Sequence, residues 1–330
     1  MTSQIKAIPK ILWISTILGL GVISYSTSLN GEFFSDDYKV IVNNPAVKDI
    51  TDIKEIWRSF NTRFLPGLSF AFNYSLGQLN PWGYHLFNLG CHILVSFPVY
   101  QFVYLTFQTP ALINTFLNPH ASLVAFYSSL IFLCHPIQTQ AVSFITQRFV
   151  PMAAFFYLST LILYIKARLT GENIFFILAF IVMVAGMFTK EWMITLPLML
   201  IVYEFYFFGH WKYNGFKRLI LGLAFSLAIL VLPLAILLSP SGTMLNLKGQ
   251  LSHASFEWAY FLTEINVLRT YLRLLFFPIN LNHGYMYPLS KGILEFSTLA
   301  SLAWLLAIFG VAVFQFKKTV CLVLLLYGFL

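Results

Sequence analysis

The feature that most constrains this chain is a series of continuous apolar runs, each about twenty residues long. The first extends from Ile11 to Leu29, and similar runs recur along 330 residues that are 58% hydrophobic, with a mean hydropathy of +0.77. A soluble domain has too little interior for so much apolar surface, whereas a bilayer accepts it. The runs are also much longer than the short alternating segments of a membrane β-barrel. We therefore predict an all-α, polytopic membrane protein.

The apolar runs predict about eight or nine spans within a single transmembrane domain that covers residues 1–330. The predicted spans lie at 11–29, 84–107, 119–134, 149–165, 174–188, 193–208, 219–238 and 293–314, with a last one opening at Thr319. The first run could be a cleaved signal peptide, but it is long enough to span and lacks an A-x-A site, so we interpret it as retained. Leu330 falls only about twelve residues into the last run, which predicts either a truncated C-terminal tail or a final helix that does not span.

The charges predict how the chain is oriented. Bases concentrate in the loops predicted to be cytoplasmic, namely at Lys166, Arg168, Lys212, Lys217, Arg218, Lys317 and Lys318. All the acids except Glu172 and Glu204 fall on the other side. This pattern predicts a cytoplasmic N-terminus and two large extracytoplasmic loops, 30–83 and 239–292, both with aromatic-rich interfacial helices. The net charge of +8 then reflects topology, and we predict no nucleic-acid partner.

Two adjacent carboxylates follow the first apolar run, in the stretch FFSDDYKV. Asp36 and Asp37 could cap an interfacial helix by accepting its free backbone N–H groups. Alternatively, one of them is a general base, since a carboxylate near a low-dielectric surface has a raised pKa and can take a proton from a hydroxyl. A second acid beside it would separate the two pKa values or help to bind a cation.

Basic residues from four separate extracytoplasmic segments are predicted at the same membrane depth. They are Arg63, Arg148, Lys190, Arg269 and Arg273. Arginine forks and a lysine ammonium suit phosphate oxygens, so these residues are candidate ligands for a phosphorylated lipid. Arg148 could instead reach toward headgroups from the end of its span, and Lys190 could pair with Glu191. His135 and Glu191 are further site candidates.

Polar residues inside the predicted spans argue for neither a metal centre nor a proton-coupled transporter. His85 and His92 are seven residues apart with Cys91 adjacent, a weak metal pattern for which polar packing is the better interpretation. Carboxylates that could form a proton relay through the membrane centre are nearly absent. We predict no definite cofactor, and no clear ligand set supports a divalent cation, whose assistance stays open.

Five stretches together resemble the transmembrane and tetratricopeptide-repeat O-mannosyltransferase family and its bacterial relatives, in the GT-C superfamily of membrane glycosyltransferases. They are FSDDYKVIVNNPAV, RFLPGLSFAFNYSLGQLNPWGYHLFNLGCH, HPIQTQAVSFITQR, TKEW and TYLRLLFFPINLN. The chain departs from the family pattern at Gln140, where many members have Glu, and at Phe64, where many have Pro. The tetratricopeptide tail that often follows the spans does not occur within these 330 residues, which leaves the protein acceptor open.

The resemblance implies transfer of a sugar, typically mannose, from a polyprenyl-phosphate carrier to a hydroxyl acceptor on the extracytoplasmic side of a bacterial inner membrane. It implies that Asp36 and Asp37 correspond to the acidic pair of the first outer loop, with Asp36 favoured as the base. His135, Arg148, Lys190 and Glu191 match family positions in later loops, and Arg269 on the outer helix is a looser match. The acceptor could be protein serine or threonine, a glycan or a lipid. A flippase or transporter of polyprenyl-linked sugars is the alternative from another functional class.

Overall fold

A computed structural model describes residues 10–209, 258–282 and 284–316 of the chain. Within these ranges the regular elements are all helical, which confirms the predicted fold class. The main helices are α1 Lys10–Tyr25, α2 Ile53–Phe60, α3 Phe64–Gly77, α4 Pro81–Phe107, α5 Ala121–Cys134, α6 Thr139–Ser143, α7 Phe149–Thr170, α8 Asn173–Met187, α9 Leu196–Tyr203, α10 Trp258–Phe276 and α11 Phe296–Phe316.

Local sequence signals explain where several helices begin and end. Asn80 caps α4, since its side-chain oxygen accepts a hydrogen bond from the Trp82 N–H at 3.1 Å, and Pro81 occupies the first helical position. The Asp52 carboxylate caps α2 in the same way, accepting from the Glu55 N–H at 3.0 Å. Helix α7 ends at Gly171, whose φ of +77° is accessible to glycine without a side-chain clash.

Four of the described helical segments are long and apolar enough to cross a membrane, and a fifth qualifies if one bent pair is counted as a single span. They are Ile11–Asn30, Pro81–Phe107, Ile145–Thr170 and Glu191–Phe208, with Asn118–Cys134 plus Pro136–Ser143 as the bent pair. Two shorter apolar helices, Asn173–Met187 and Phe296–Val311, coincide with further predicted spans. The protein is therefore a polytopic membrane protein. The count of eight or nine stays a prediction, because the predicted spans 219–238 and from Thr319 lie outside the described residues.

The chain divides into two compact units, 1–244 and 245–330. In the first unit, α4 packs against α5 and α7, and α7 packs against α8. A buried cluster lies where the first loop meets the start of α7, formed by Ile41, Val47, Ile56, Phe60, Phe70, Ala71, Tyr84, Ile145 and Phe149. The apolar side chains of this cluster hold the first part of the 30–83 loop, up to Phe60, against α3, α4 and the start of α7. The prediction of one domain over residues 1–330 stays a prediction.

In the second unit, α10 packs against α11 through buried polar side chains. The Asn266 amide donates to the Ser290 and Thr298 hydroxyls at 3.1 and 3.3 Å, and its oxygen accepts from Ser301 at 2.6 Å. Each buried polar group in this set has a partner, so the set fixes the register of the two helices at low cost.

Candidate functional site

The two adjacent aspartates have opposite environments. Asp36 is exposed, whereas Asp37 is 1% exposed and accepts two backbone hydrogen bonds. Its Oδ2 accepts from the Phe34 N–H at 3.0 Å, and its Oδ1 accepts from the Thr146 N–H at 2.8 Å. Burial raises the pKa of the Asp37 carboxyl, while these two N–H groups and nearby His85 oppose that rise. Asp37 thus ties the first loop to the segment before α7 and leaves Asp36 free at the surface.

A buried asparagine holds the segment that Asp37 contacts. The Asn88 Nδ2 group on α4 donates toward the carbonyl oxygens of Val142, Phe144 and Ile145, at 3.4, 3.3 and 3.1 Å. Buried backbone carbonyl groups almost always accept a hydrogen bond, because leaving one unpaired costs about 1–3 kcal/mol. Asn88 therefore fixes the path of the chain where the short 3-10 helix Ile145–Arg148 leads into α7.

Arg148 is fully buried, and its donors go to groups within the protein. Its Nε donates to Asn88 Oδ1 at 2.7 Å, Nη1 to Ser69 Oγ at 3.1 Å and Nη2 to the Tyr84 carbonyl at 3.0 Å. The guanidinium carbon also lies 4.5 and 4.3 Å from the ring centroids of Phe70 and Phe87, within cation–π range. A phosphate-binding role, as predicted, would require the guanidinium to leave these partners.

Arg63, Lys190 and Glu191 come together from two separate loops. The Arg63 fork donates to both carboxylate oxygens of Glu191, with Nε–Oε1 at 2.8 Å and Nη2–Oε2 at 3.1 Å. A backbone bond from the Leu65 N–H to the Phe188 carbonyl, at 3.1 Å, joins the same two loops. Glu191 therefore pairs with Arg63. The alternative raised from the sequence was a pair between Glu191 and Lys190, and the ion pairs of the described residues do not include it.

Lys190 is half-buried beside this pair and forms no ion pair with the described residues. Burial lowers the pKa of the Lys190 ammonium, and the Arg63 cation lowers it further. Two cations and one carboxylate leave this cluster with one net positive charge. It combines an arginine fork with a lysine point charge, which is a chemistry that suits a phosphate group.

Asp37 and the basic cluster make contacts at neighbouring positions, one just before α7 and one at its first residue. Asp37 accepts from the Thr146 N–H, and the Arg63 guanidinium lies 5.0 Å from the ring centroid of Phe149, three residues further along. About one helical turn separates these positions. The structure therefore brings Asp37, Arg63 and Glu191 to the same end of α7. The pairing of Arg168 with Glu204, at 2.8 Å, marks the other end.

The remaining predicted site residues belong to other segments of the chain. His135 follows α5 and caps the short helix Pro136–Gln138, because its Nδ1 accepts from the Ile137 N–H at 3.1 Å. Arg269 and Arg273 lie on α10 in the second unit, four residues apart on one helix as predicted. Arg269 is half-buried, and Arg273 is exposed, with Nη1 3.5 Å from the Ile279 carbonyl oxygen.

Sequence reasoning interpreted His85 and His92 of α4 as polar packing but missed Asn88 and Ser96 on the same helix. His85, Asn88, His92 and Ser96 are all buried, and they recur at spacings of three or four residues in an otherwise apolar helix. That polar stripe was the available signal, since such residues face the inside of a bundle. His92 Nε2 lies 3.0 Å from the Leu133 carbonyl oxygen, and the His85 ring lies against Gly31, where a Cβ would fall 2.7 Å from Nε2.

The described residues contain no group of three or more histidine, cysteine or carboxylate side chains arranged to hold a metal ion. Asp36 and Asp37 are adjacent in sequence, but Asp37 directs both its oxygens to backbone N–H groups. A divalent cation shared by the two carboxylates therefore does not fit this arrangement, and cation assistance stays open as predicted.

Comparison with known proteins gives three informative relatives. The chain is 30% identical over 195 residues to the protein O-mannosyl-transferase F38B6.6 of Caenorhabditis elegans. This match covers 55% of this chain and 26% of the relative. It is 30% identical over 208 residues to human TMTC3 and 28% identical over 244 residues to human TMTC2, both named protein O-mannosyl-transferases. These matches cover 58% and 66% of this chain but only 21% and 27% of the relatives.

No family model and no solved structure matches the chain. The matched part of the chain spans about a quarter of the length of these curated relatives. Their names confirm the predicted resemblance to the O-mannosyltransferase family, whereas the bacterial and GT-C parts stay predictions. Over about half of its length, this chain is similar to proteins named protein O-mannosyl-transferases.

Proposed function

We propose that this protein is an inverting membrane glycosyltransferase that moves mannose from a polyprenyl-phosphate carrier to a hydroxyl of protein serine or threonine. The names of its relatives support a mannosyltransferase with a protein acceptor. One structural observation carries the proposal. An exposed aspartate, Asp36, adjoins a buried one that is tied to the start of α7, where the Arg63–Lys190–Glu191 cluster also lies.

In the proposed reaction, the Asp36 carboxylate takes the proton of the acceptor hydroxyl as that oxygen bonds to the anomeric carbon. The bond between the anomeric carbon and the phosphate oxygen breaks, and the leaving phosphate keeps the electron pair. Arg63 and Lys190 stabilise the negative charge that develops on this phosphate, so the leaving group needs little protonation. A single displacement inverts the anomeric centre.

Asp37 has a different part in this proposal. Its side chain is buried, and its oxygens accept from Phe34 and Thr146, so a substrate hydroxyl does not reach them. The backbone tie fixes the chain on either side of Asp36 and holds that side chain in place before substrate arrives. For Arg269 and Arg273, the phosphate role stays a prediction from spacing and charge, and His135 stays a site candidate.

We further propose that the reaction takes place on the extracytoplasmic side of a bacterial inner membrane, within a single GT-C-type domain. The support is the charge pattern. Lys166 and Arg168 lie at the end of α7 that is opposite to the acidic pair, as expected for a cytoplasmic end. The donor would then lie with its tail in the bilayer and its phosphate at the level of Arg63.

Purified full-length protein in proteoliposomes tests the proposal directly. It would be incubated with polyprenyl-phosphate mannose labelled in the sugar, with and without a serine- and threonine-containing peptide. Release of carrier phosphate together with labelling of the peptide is the expected result. Labelling of an added glycan or lipid instead would change the acceptor. Movement of the donor across the bilayer without bond cleavage would indicate a flippase and overturn the proposal.

A further inference from the structure

Arg148 is a buried cation in an unusual position for a membrane helix. It is 0% exposed, and the ion pairs among the described residues do not include it. A buried charge outside an ion pair is costly, and such residues within membrane segments usually have a specific role. Its three hydrogen bonds go to a side-chain amide, a hydroxyl and a backbone carbonyl, all of them neutral.

These contacts connect Arg148 to the acidic pair. Its Nε bonds to the oxygen of Asn88, and the amide nitrogen of the same side chain holds the carbonyls of Phe144 and Ile145. The next residue, Thr146, donates its N–H to Asp37. The guanidinium therefore fixes the asparagine whose other end shapes the turn that presents this N–H group.

We propose that Arg148 is a positioning residue: it holds the chain from Val142 to Arg148 in the shape that binds Asp37 and thereby orients Asp36. The inference rests on the proposed function, since it assigns no contact with either substrate. It differs from the predicted phosphate role, because the three bonded donors of the guanidinium are directed into the protein. Lysine cannot reproduce this geometry, since its single ammonium cannot reach three acceptors in a fixed plane.

The first test needs no substrate. Hydrogen exchange measured by mass spectrometry on the full-length protein would compare wild type with Arg148→Lys and Arg148→Gln. We expect about tenfold faster exchange in peptides covering 30–40 and 140–150, with exchange in α8 unchanged. Arg168→Gln is the matched control, because it removes an arginine from the other end of the same helix and should leave both peptides protected.

The second test is kinetic. We expect Arg148→Lys to lower kcat by about ten- to a hundredfold, because a small misplacement of a reacting group has effects of that size. The donor KM should stay within about twofold of wild type. Arg63→Gln gives the contrasting pattern, a raised donor KM, since Arg63 is proposed to contact the phosphate.

Several results would overturn the inference. Unchanged exchange in the two peptides would show that Arg148 does not hold this segment, and faster exchange throughout both variants would show that it holds the whole fold. A raised donor KM with kcat unchanged would make Arg148 a phosphate ligand, and a normal kcat despite loosened peptides would separate the segment from catalysis. If wild type transfers no sugar, the proposed function fails and the exchange measurement alone decides whether Arg148 holds the loop.

Discussion

Replacing Asp37 by asparagine should lower stability while the same change at Asp36 should not. Both oxygens of Asp37 accept backbone N–H groups, at 3.0 and 2.8 Å. An asparagine keeps one acceptor, and its amide nitrogen faces an N–H group that it cannot bond. A lost hydrogen bond to a charged group costs about 1.5–3 kcal/mol. The expected loss for Asp37→Asn is therefore about 1.5–3 kcal/mol.

Thermal unfolding in detergent, followed by tryptophan fluorescence, measures this difference. A loss of that size corresponds to a Tm decrease of about 2–4 °C for a chain of 330 residues. Asp36→Asn is the matched control, because Asp36 is exposed. The Tm of this variant should stay within about 1 °C of wild type. Equal Tm values for the two variants, or a larger decrease for Asp36→Asn, would refute the division of roles between the aspartates.

Three further predictions concern the basic cluster and the topology. Burial and the Arg63 cation lower the pKa of Lys190 below its ordinary 10.5, so donor affinity should fall as pH rises through that lowered value. Removing the Arg63 cation should raise the Lys190 pKa, so in Arg63→Gln the fall in donor affinity, measured as 1/KM, should begin at higher pH. A fall at the wild-type pH would contradict the effect of Arg63 on Lys190. Glu191→Gln should free the Arg63 fork and lower the donor KM by about two- to fivefold, the scale of an exposed ion pair, whereas a raised KM would mean that Glu191 positions Arg63. In a background without native cysteines, Lys39→Cys and Glu191→Cys should each react with an impermeant maleimide from the same side of the membrane. Thr170→Cys should react from the other side. Labelling of Lys39→Cys and Glu191→Cys from opposite sides would refute the proposed site.

The helical layout could be predicted because lipid imposes a simple rule on sequence. An apolar run of about twenty residues has few alternatives to a helix in a bilayer. The predicted runs 84–107 and 174–188 accordingly lie close to Pro81–Phe107 and Asn173–Met187. Their ends differ by a few residues because the caps, such as Asn80, lie in polar flanking sequence.

The partners of the charged residues could not be predicted in the same way. Arg63 and Glu191 are 128 positions apart, and nothing local in the sequence indicates that they pair. Adjacent aspartates likewise carry no signal for which one is buried, because that depends on the Thr146 N–H group supplied by a distant segment. For Arg148, the sequence shows a base at the end of an apolar run, but its acceptors Asn88 and Ser69 come from two other helices.

The account depends most directly on the proton-accepting role of Asp36. The decisive measurement is the rate at which purified Asp36→Asn transfers mannose from polyprenyl-phosphate mannose to a hydroxyl acceptor, at a temperature where it is as folded as wild type. A general base contributes about 10²- to 10⁴-fold, so the variant should be slower by at least about a hundredfold while it still binds donor. Transfer at the wild-type rate by Asp36→Asn would contradict the account.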